Sequence, residues 1–119
     1  MLHEKRVWCV AQVESAEQLS KMLTESTWCC CNAFRIADYI WLNDSSSSDG
    51  AQEYAVLKSQ ADHSFVQIES ITFGWMNCDE ALASIEQTLS GEFDHHEWSK
   101  PVRPTLQTPK EHGRCQHCT

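Results

Sequence analysis

The chain has 119 residues, and its 9 lysines and arginines against 17 aspartates and glutamates give a formal net charge of −8 at pH 7. This length indicates one domain, and 41% hydrophobic residues let a chain of this size bury roughly two thirds of its unfolded surface. Because the charge opposes the phosphate neutralisation that nucleic-acid binding requires, we expect neither a nucleic acid nor an anionic membrane as partner.

The cysteines do not form the pattern of a disulfide framework. Their number, seven, is odd, and three are consecutive, which is atypical of extracellular proteins. They are Cys9, Cys29, Cys30, Cys31, Cys78, Cys115 and Cys118. The apolar run at residues 7–11 is too short for a signal peptide, and no run of 18 apolar residues indicates a membrane span. We therefore expect a cytoplasmic protein with free thiols.

The first predicted elements are a strand and a helix. Residues 7–13 are almost all apolar, which is typical of a central strand buried on both faces. Ser15 and Gln18 match a capping box that begins a helix over about residues 16–25. Its apolar stripe consists of Leu19, Met22 and Leu23. The narrow stripe predicts a helix that covers a sheet on one side only.

A series of strands follows. Residues 28–43 are rich in aromatic and β-branched side chains and predict two strands, or one bent strand, with a break at Ala37-Asp38. Residues 44–50 are a polar loop that ends in Asp-Gly and joins this strand to residues 54–57 as a hairpin. A second turn at residues 60–64 leads to a strand over residues 65–73. Strict alternation places Phe65, Gln67, Glu69, Ile71 and Phe73 on one face.

A second predicted helix follows the strands, and the composition changes after it. Asn77 and Glu80 form another capping box, Leu82, Ile85 and Leu89 form the stripe, and Gly91 is expected to end the helix. Residues 92–119 hold all three prolines and four of the six histidines. We predict one α+β domain over residues 5–92, with a largely antiparallel sheet of four to five strands and two helices on one face. Residues 93–119 are predicted to be a flexible polar tail whose deletion from about residue 100 leaves stability nearly unchanged.

The clearest candidate site is His112-x-x-Cys115-x-x-Cys118 in this tail. Two thiolates at Cys-x-x-Cys spacing can bind one zinc ion, and histidine is a common further ligand. His95 or His96 is the preferred fourth ligand, because imidazole suits zinc better than the neighbouring carboxylates do. The alternatives are a redox pair or two inert exposed thiols.

Other candidate sites favour a structural interpretation. In a strand, Cys29 and Cys31 face one side and Cys30 the other, so packing explains them better than metal binding does. Packing also explains Cys9 and Cys78. Asp44, Asp49 and Glu53 do not match the ligand spacing of a calcium loop. Phe34, Tyr39 and Trp41 are interpreted as core aromatics and not as a binding face.

Several intervals in residues 7–90 loosely resemble the CutA divalent-cation tolerance family, whose members are ferredoxin-like trimers. The matching positions are Ala16, Glu17, Cys31, Asn32, Trp41, Glu53 and Lys58, followed by Ile68-x-x-Ile71 and Leu82-x-x-Ile85. That family has a helix for which this chain leaves no room between Lys58 and Val66. The chain is therefore not assigned to the family.

No catalytic motif accompanies these patterns. The sequence has no Gly-x-Ser-x-Gly and no glycine-rich phosphate loop, so we assign no catalytic or cofactor-binding residue. The hypothesis is a non-enzymatic protein-interaction or structural module, in which an acidic surface and exposed aromatics face a protein partner or a second copy of the chain. The alternative is a small zinc-binding protein that uses the C-terminal segment.

Overall fold

The computed structural model describes residues 7–24, 32–43, 53–73, 76–91 and 100–107. Their elements are, in chain order, β1 (Val7–Gln12), α1 (Ala16–Thr24), β2 (Ala33–Ile36), β3 (Tyr39–Asn43), β4 (Glu53–Ser59), β5 (Phe65–Thr72), α2 (Cys78–Leu89) and β6 (Thr105–Gln107). This composition confirms the predicted α+β class with two helices.

The strands form one sheet in the order β5-β4-β3-β2-β1-β6. The prediction of four to five largely antiparallel strands needs correction, because the sheet has six strands and is mixed. Strand β1 is parallel to both β2 and β6, whereas β2 to β5 form an antiparallel meander. The parallel pairing of β1 with β2 follows from α1, which carries the chain back so that β2 runs in the same direction.

Side-chain caps define where both helices begin. The N–H of Gln18 donates to Ser15 Oγ (3.1 Å), and Gln18 Oε1 accepts from the N–H of Glu14 (3.2 Å). In the predicted capping box the Gln18 side chain would accept from the N–H of Ser15. In the structure it accepts from the preceding residue, Glu14. At α2, Asn77 and Glu80 form the complete predicted box. Gly91 has a φ of 82° just after the helix, a conformation that glycine adopts without steric cost.

The strand break predicted at Ala37-Asp38 is confirmed as the turn between β2 and β3, where Ala37 has a φ of 52°. The turn predicted at residues 60–64 is also present, and it contains no helix. Two backbone hydrogen bonds hold it, from Gln60 N–H to Ser64 O and from His63 N–H to Gln60 O.

A β-bulge in β5 makes the predicted face assignment of residues 65–73 wrong. Val56 is opposite Glu69, but the next residue, Leu57, is opposite Gln67. Ile68 is therefore the extra residue of the bulge. The alternation of side chains between the two faces of the sheet changes phase at this residue. As a result Phe65 lies in a different apolar cluster from Ile71 and Phe73.

The sheet separates two apolar clusters. The helix-side core contains residues from both helices and one face of the sheet, and its buried members are Cys9, Ala11, Val13, Leu19, Leu23, Phe34, Tyr39, Trp41, Tyr54, Val56, Ile68, Ile71, Phe73, Ala81 and Ile85. The second core contains strand residues of the other face, and its buried members are Trp8, Ala33, Ile40, Leu42, Leu57 and Phe65. Both helices therefore pack on one face, as predicted.

Residues 100–107, which we call the strap, contact two strands on opposite sides of the sheet, β1 and β5. Strand β6 pairs with β1, and Val102 forms an antiparallel bridge with Phe65 of β5. The strap thus joins the first and last strands of the β5-to-β1 sheet, which gives the arrangement of a partly closed barrel. It lies beyond the predicted domain boundary at residue 92. The other parts of the predicted tail, residues 93–99 and 108–119, are outside the described residues.

Candidate functional site

The five predicted zinc ligands, His95, His96, His112, Cys115 and Cys118, lie outside the described residues, as do Cys29, Cys30 and Cys31. Within the described ranges, no group of three or more histidine, cysteine, aspartate or glutamate side chains is placed to hold a metal ion. The C-terminal zinc site therefore remains a prediction.

The two described cysteines occupy packed positions. Cys9 is buried on the helix-side face of β1, and its backbone N–H donates to Asn32 Oδ1 at 2.8 Å. Asn32 thereby extends the pairing of β1 with β2 by one hydrogen bond. Cys78 is the first residue of α2, and its Sγ lies 3.4 Å from Ser20 Oγ of α1. These contacts place Cys9 in the core and Cys78 at the junction of the two helices.

All aromatic side chains in the described ranges are buried. They are Trp8, Phe34, Tyr39, Trp41, Tyr54, Phe65 and Phe73. The interpretation of Phe34, Tyr39 and Trp41 as core residues is confirmed, since all three belong to the helix-side core. The expectation of exposed aromatics is not met in this part of the chain. Burial also raises the pKa of Tyr54, and a hydrogen bond with Asn43 partly opposes that rise.

The backbone of the strap is paired on two sides. Val102 N–H donates to Phe65 O (2.8 Å), and Phe65 N–H donates to Val102 O (2.9 Å). Farther along, Thr105, Leu106 and Gln107 are in parallel register with Val7, Trp8 and Cys9. The side chains of Val102 and Leu106 are half-buried and pack against the second core. Val102 and Leu106, four residues apart, are therefore the apolar side chains through which the strap contacts the second core.

Two prolines determine where the strap passes from one partner strand to the other. Pro101 and Pro104 flank the dipeptide Val102-Arg103. Proline has no N–H to donate and is confined to strand edges and ends. Continuous pairing along either neighbour is therefore interrupted at Pro104, after the bridge to Phe65 and before the pairing with β1.

A polar contact also holds the strap to the β4–β5 turn. The Arg103 guanidinium donates to Asp62 O (3.1 Å) and to Asp62 Oδ2 (3.4 Å). Asp62 Oδ1 accepts from the hydroxyl (2.5 Å) and the N–H (3.1 Å) of the buried Ser64. The pKa of Asp62 is lowered, first by the Ser64 hydroxyl, then by the Ser64 N–H, with a smaller contribution from Arg103. Both charged side chains are 64% exposed.

The outer surface of the helix layer is acidic. All charged residues of α2, which are Asp79, Glu80 and Glu86, are acidic and exposed. Helix α1 presents exposed Glu17 and Lys21. The helix layer therefore carries four acidic side chains against one basic side chain, in agreement with the excess of acidic residues in the chain.

Sequence reasoning missed the strap. The signal available was weak, because Val102 and Leu106 are isolated apolar residues in a segment with two prolines. A three-residue strand is also too short to show alternation. The strap is defined by its pairing with residues that are far away in the chain. Composition does not show such pairing, and it therefore led to the prediction that these residues belong to the tail.

No family model matches the chain, and neither a curated protein nor a solved structure matches it. Neither described helix is long and apolar enough to cross a membrane.

Proposed function

We propose that the protein is a non-enzymatic interaction module whose helix layer binds a basic surface of a partner protein. The observation that carries the proposal is that Asp79, Glu80 and Glu86 are exposed on α2 without a basic residue in the same helix. Complementary charge of this kind accelerates association and selects among partners.

The inner side of the helix layer supports a fixed arrangement of these charges. Ala81 and Ile85 are fully buried in the helix-side core, so α2 cannot rotate about its axis without loss of core packing. The capping box at Asn77 and Glu80 further holds the first turn of the helix. A rigid acidic face of this kind retains its binding geometry in the free protein, which lowers the entropy lost on association.

The test is quantitative affinity capture from an extract of cells that express the protein, with wild type and Glu86→Lys as bait. Glu86 lies in the second half of α2, where a lysine is compatible with the helix dipole. The captured amount of each protein that binds the acidic face is expected to be several-fold lower with the variant bait than with wild type. Their recovery from wild type is expected to decrease as salt is raised from 50 to 300 mM, because screening weakens surface electrostatics.

The matched control is Asp38→Lys, which makes the same change of charge at an exposed position in the β2–β3 turn. It is expected to leave capture by the helix layer unchanged. Equal loss with both variants means that net charge alone determines binding, and equal capture by all three baits means that the helix layer is not the interface. Either result removes the proposal.

The alternative function is zinc binding by Cys115, Cys118 and His112 with His95 or His96. The Cys-x-x-Cys spacing is the observation in its favour. A zinc ion bound by these residues would close a chain loop that contains the strap, because residues 100–107 lie between His96 and His112. Metal analysis separates the two proposals.

We also propose a reducing, cytoplasmic location. The odd number of cysteines supports it, together with the free thiols of Cys9 and Cys78 within the described part of the chain. Thiol titration of protein purified under anaerobic conditions tests this point, and stable disulfides in freshly isolated protein would contradict it.

A further inference from the structure

The strap is the described element with the least burial. Every other described strand and helix has at least one buried residue. No residue of the strap is buried, and its two apolar contacts with the second core, Val102 and Leu106, are half-buried. Because elements with few buried contacts open at low free energy, the strap can separate from the sheet before the other elements unfold.

The backbone of the strap is held at two separate places. Val102 forms its reciprocal pair of hydrogen bonds with Phe65 of β5, and Thr105–Gln107 pair with β1. Pro104 lies between these two places and Pro101 precedes the first, and neither residue has an N–H to donate. The strap therefore has fewer backbone donors than a continuous strand of its length, which further lowers the free energy of opening.

The ion pair of the strap is exposed, but its acceptor is held in place. Arg103 donates to Asp62 O and Asp62 Oδ2 at 3.1 and 3.4 Å, and both charged side chains are 64% exposed. An ion pair at such exposure contributes little to stability. The N–H and the hydroxyl of Ser64 donate to Asp62 Oδ1 and orient the carboxylate. Arg103 therefore contacts an acceptor whose position does not depend on the strap.

From these observations we propose that the strap opens and closes as a unit over β1 and the second core, while the two helices and β1 to β5 stay folded. The contact of Arg103 with Asp62 favours the closed state. In the open state β1 is an edge strand, and part of the second core meets solvent. The proposal is independent of the acidic helix face, because the helix-side core contains no residue of the strap.

The backbone amides of β1 distinguish its two neighbours. The N–H of Cys9 donates to Asn32 Oδ1 next to β2, and the N–H of Val13 donates to Arg35 O in β2. Successive N–H groups of a strand point toward opposite neighbours. The N–H of Trp8 therefore points toward β6, with which Trp8 is in register.

The test is amide hydrogen exchange, measured residue by residue by NMR on the full-length chain. Trp8 and Phe65 are the strap-side amides, because the N–H of Phe65 donates to the strap, and Cys9 and Val13 are the sheet-side amides. After correction for intrinsic rates, the strap-side amides are expected to exchange at least about tenfold faster than the sheet-side amides. Their rates are also expected to depend less on denaturant, because opening exposes less surface than unfolding does.

Two results would overturn the proposal. Equal corrected rates for all four amides, with the same dependence on denaturant, mean that the strap opens only when the whole domain unfolds. Strap-side amides without any protection mean that the strap is not closed over β1 in solution.

A matched pair of substitutions tests the contact with Asp62. Arg103→Gln removes the guanidinium, and Lys100→Gln makes the same change of charge at the exposed first residue of the strap. Arg103→Gln is expected to increase the exchange rates of the strap-side amides roughly two- to fivefold without a change at the sheet-side amides. Lys100→Gln is expected to behave as the wild type does. Equal rates in the two variants, or an equal increase at all four amides, contradict the role of Arg103.

Discussion

Val102 and Phe65 donate one backbone hydrogen bond each to the other, at 2.8 and 2.9 Å. This reciprocal pair attaches the strap to β5, while three residues farther along the strap attaches to β1. Strands β1 and β5 are therefore connected through a segment with the composition of a tail. Without the strap, β1 would become an edge strand, and part of the second core would meet solvent.

Removal of the strap is therefore expected to destabilise the domain. Deletion of residues 100–119 removes the pairing with β1, both hydrogen bonds to Phe65 and the apolar contacts of Val102 and Leu106. We expect a loss of about 2 kcal/mol or more in the free energy of unfolding. This revises the expectation from composition that such a deletion has little effect. Urea denaturation followed by tryptophan fluorescence measures the change.

The matched control is deletion of residues 108–119, which keeps the strap. It is expected to change the unfolding free energy of metal-free protein by less than about 0.5 kcal/mol. If the two truncations are equally stable, the strap contributes nothing to the domain, and its pairing with β1 is not a feature of the protein in solution.

The elements that sequence predicted well are those with a local cause. Helix α2 has its cap, stripe and terminal glycine within fifteen consecutive residues, and the structure has the cap and the glycine. Of the predicted stripe, Ile85 and Leu89 belong to the helix-side core, whereas the position predicted for Leu82 is taken by the buried Ala81. The bulge at Ile68 was not predictable in this way, because it depends on the register between β4 and β5. The strap and the parallel pairing of β1 depend on contacts between distant residues, which periodicity does not encode. The predicted zinc ligands lie outside the described residues, so the structure neither supports nor opposes them.

Asn77→Ala is expected to lower the free energy of unfolding by about 0.5 to 2 kcal/mol. The substitution removes the Asn77 Oδ1 acceptor for Glu80 N–H, a hydrogen bond of 2.8 Å. Thermal unfolding followed by circular dichroism measures the effect. Asn77→Asp preserves the acceptor at the cap and is expected to stay close to the wild type. Equal losses for both variants would show that the cap is not the cause.

The stability of the protein is expected to fall at acidic pH in part through Asp62. Its pKa in the folded protein is lowered from the usual 3.8 by the Ser64 hydroxyl and N–H and by Arg103. A carboxyl with a lowered folded-state pKa contributes stability above its unfolded pKa and loses that contribution as pH falls through the folded pKa. Wild type is therefore expected to exceed Asp62→Asn in melting temperature at pH 6, and the difference is expected to shrink below pH 3.8. A difference that is constant between pH 2 and 6 would assign the effect to something other than ionisation of Asp62.

Zinc separates the two proposed functions. If Cys115, Cys118 and His112 bind the ion with His95 or His96, element analysis of protein purified without a metal-chelating column should give about one zinc per chain. Added zinc should also raise the melting temperature, because a ligand that binds only the folded state stabilises it by mass action. Cys118→Ser should remove both effects, whereas Cys78→Ala, at the helix junction, should retain the zinc. Protein without stoichiometric metal, and with a melting temperature that zinc does not change, would exclude the zinc site and favour the interaction module.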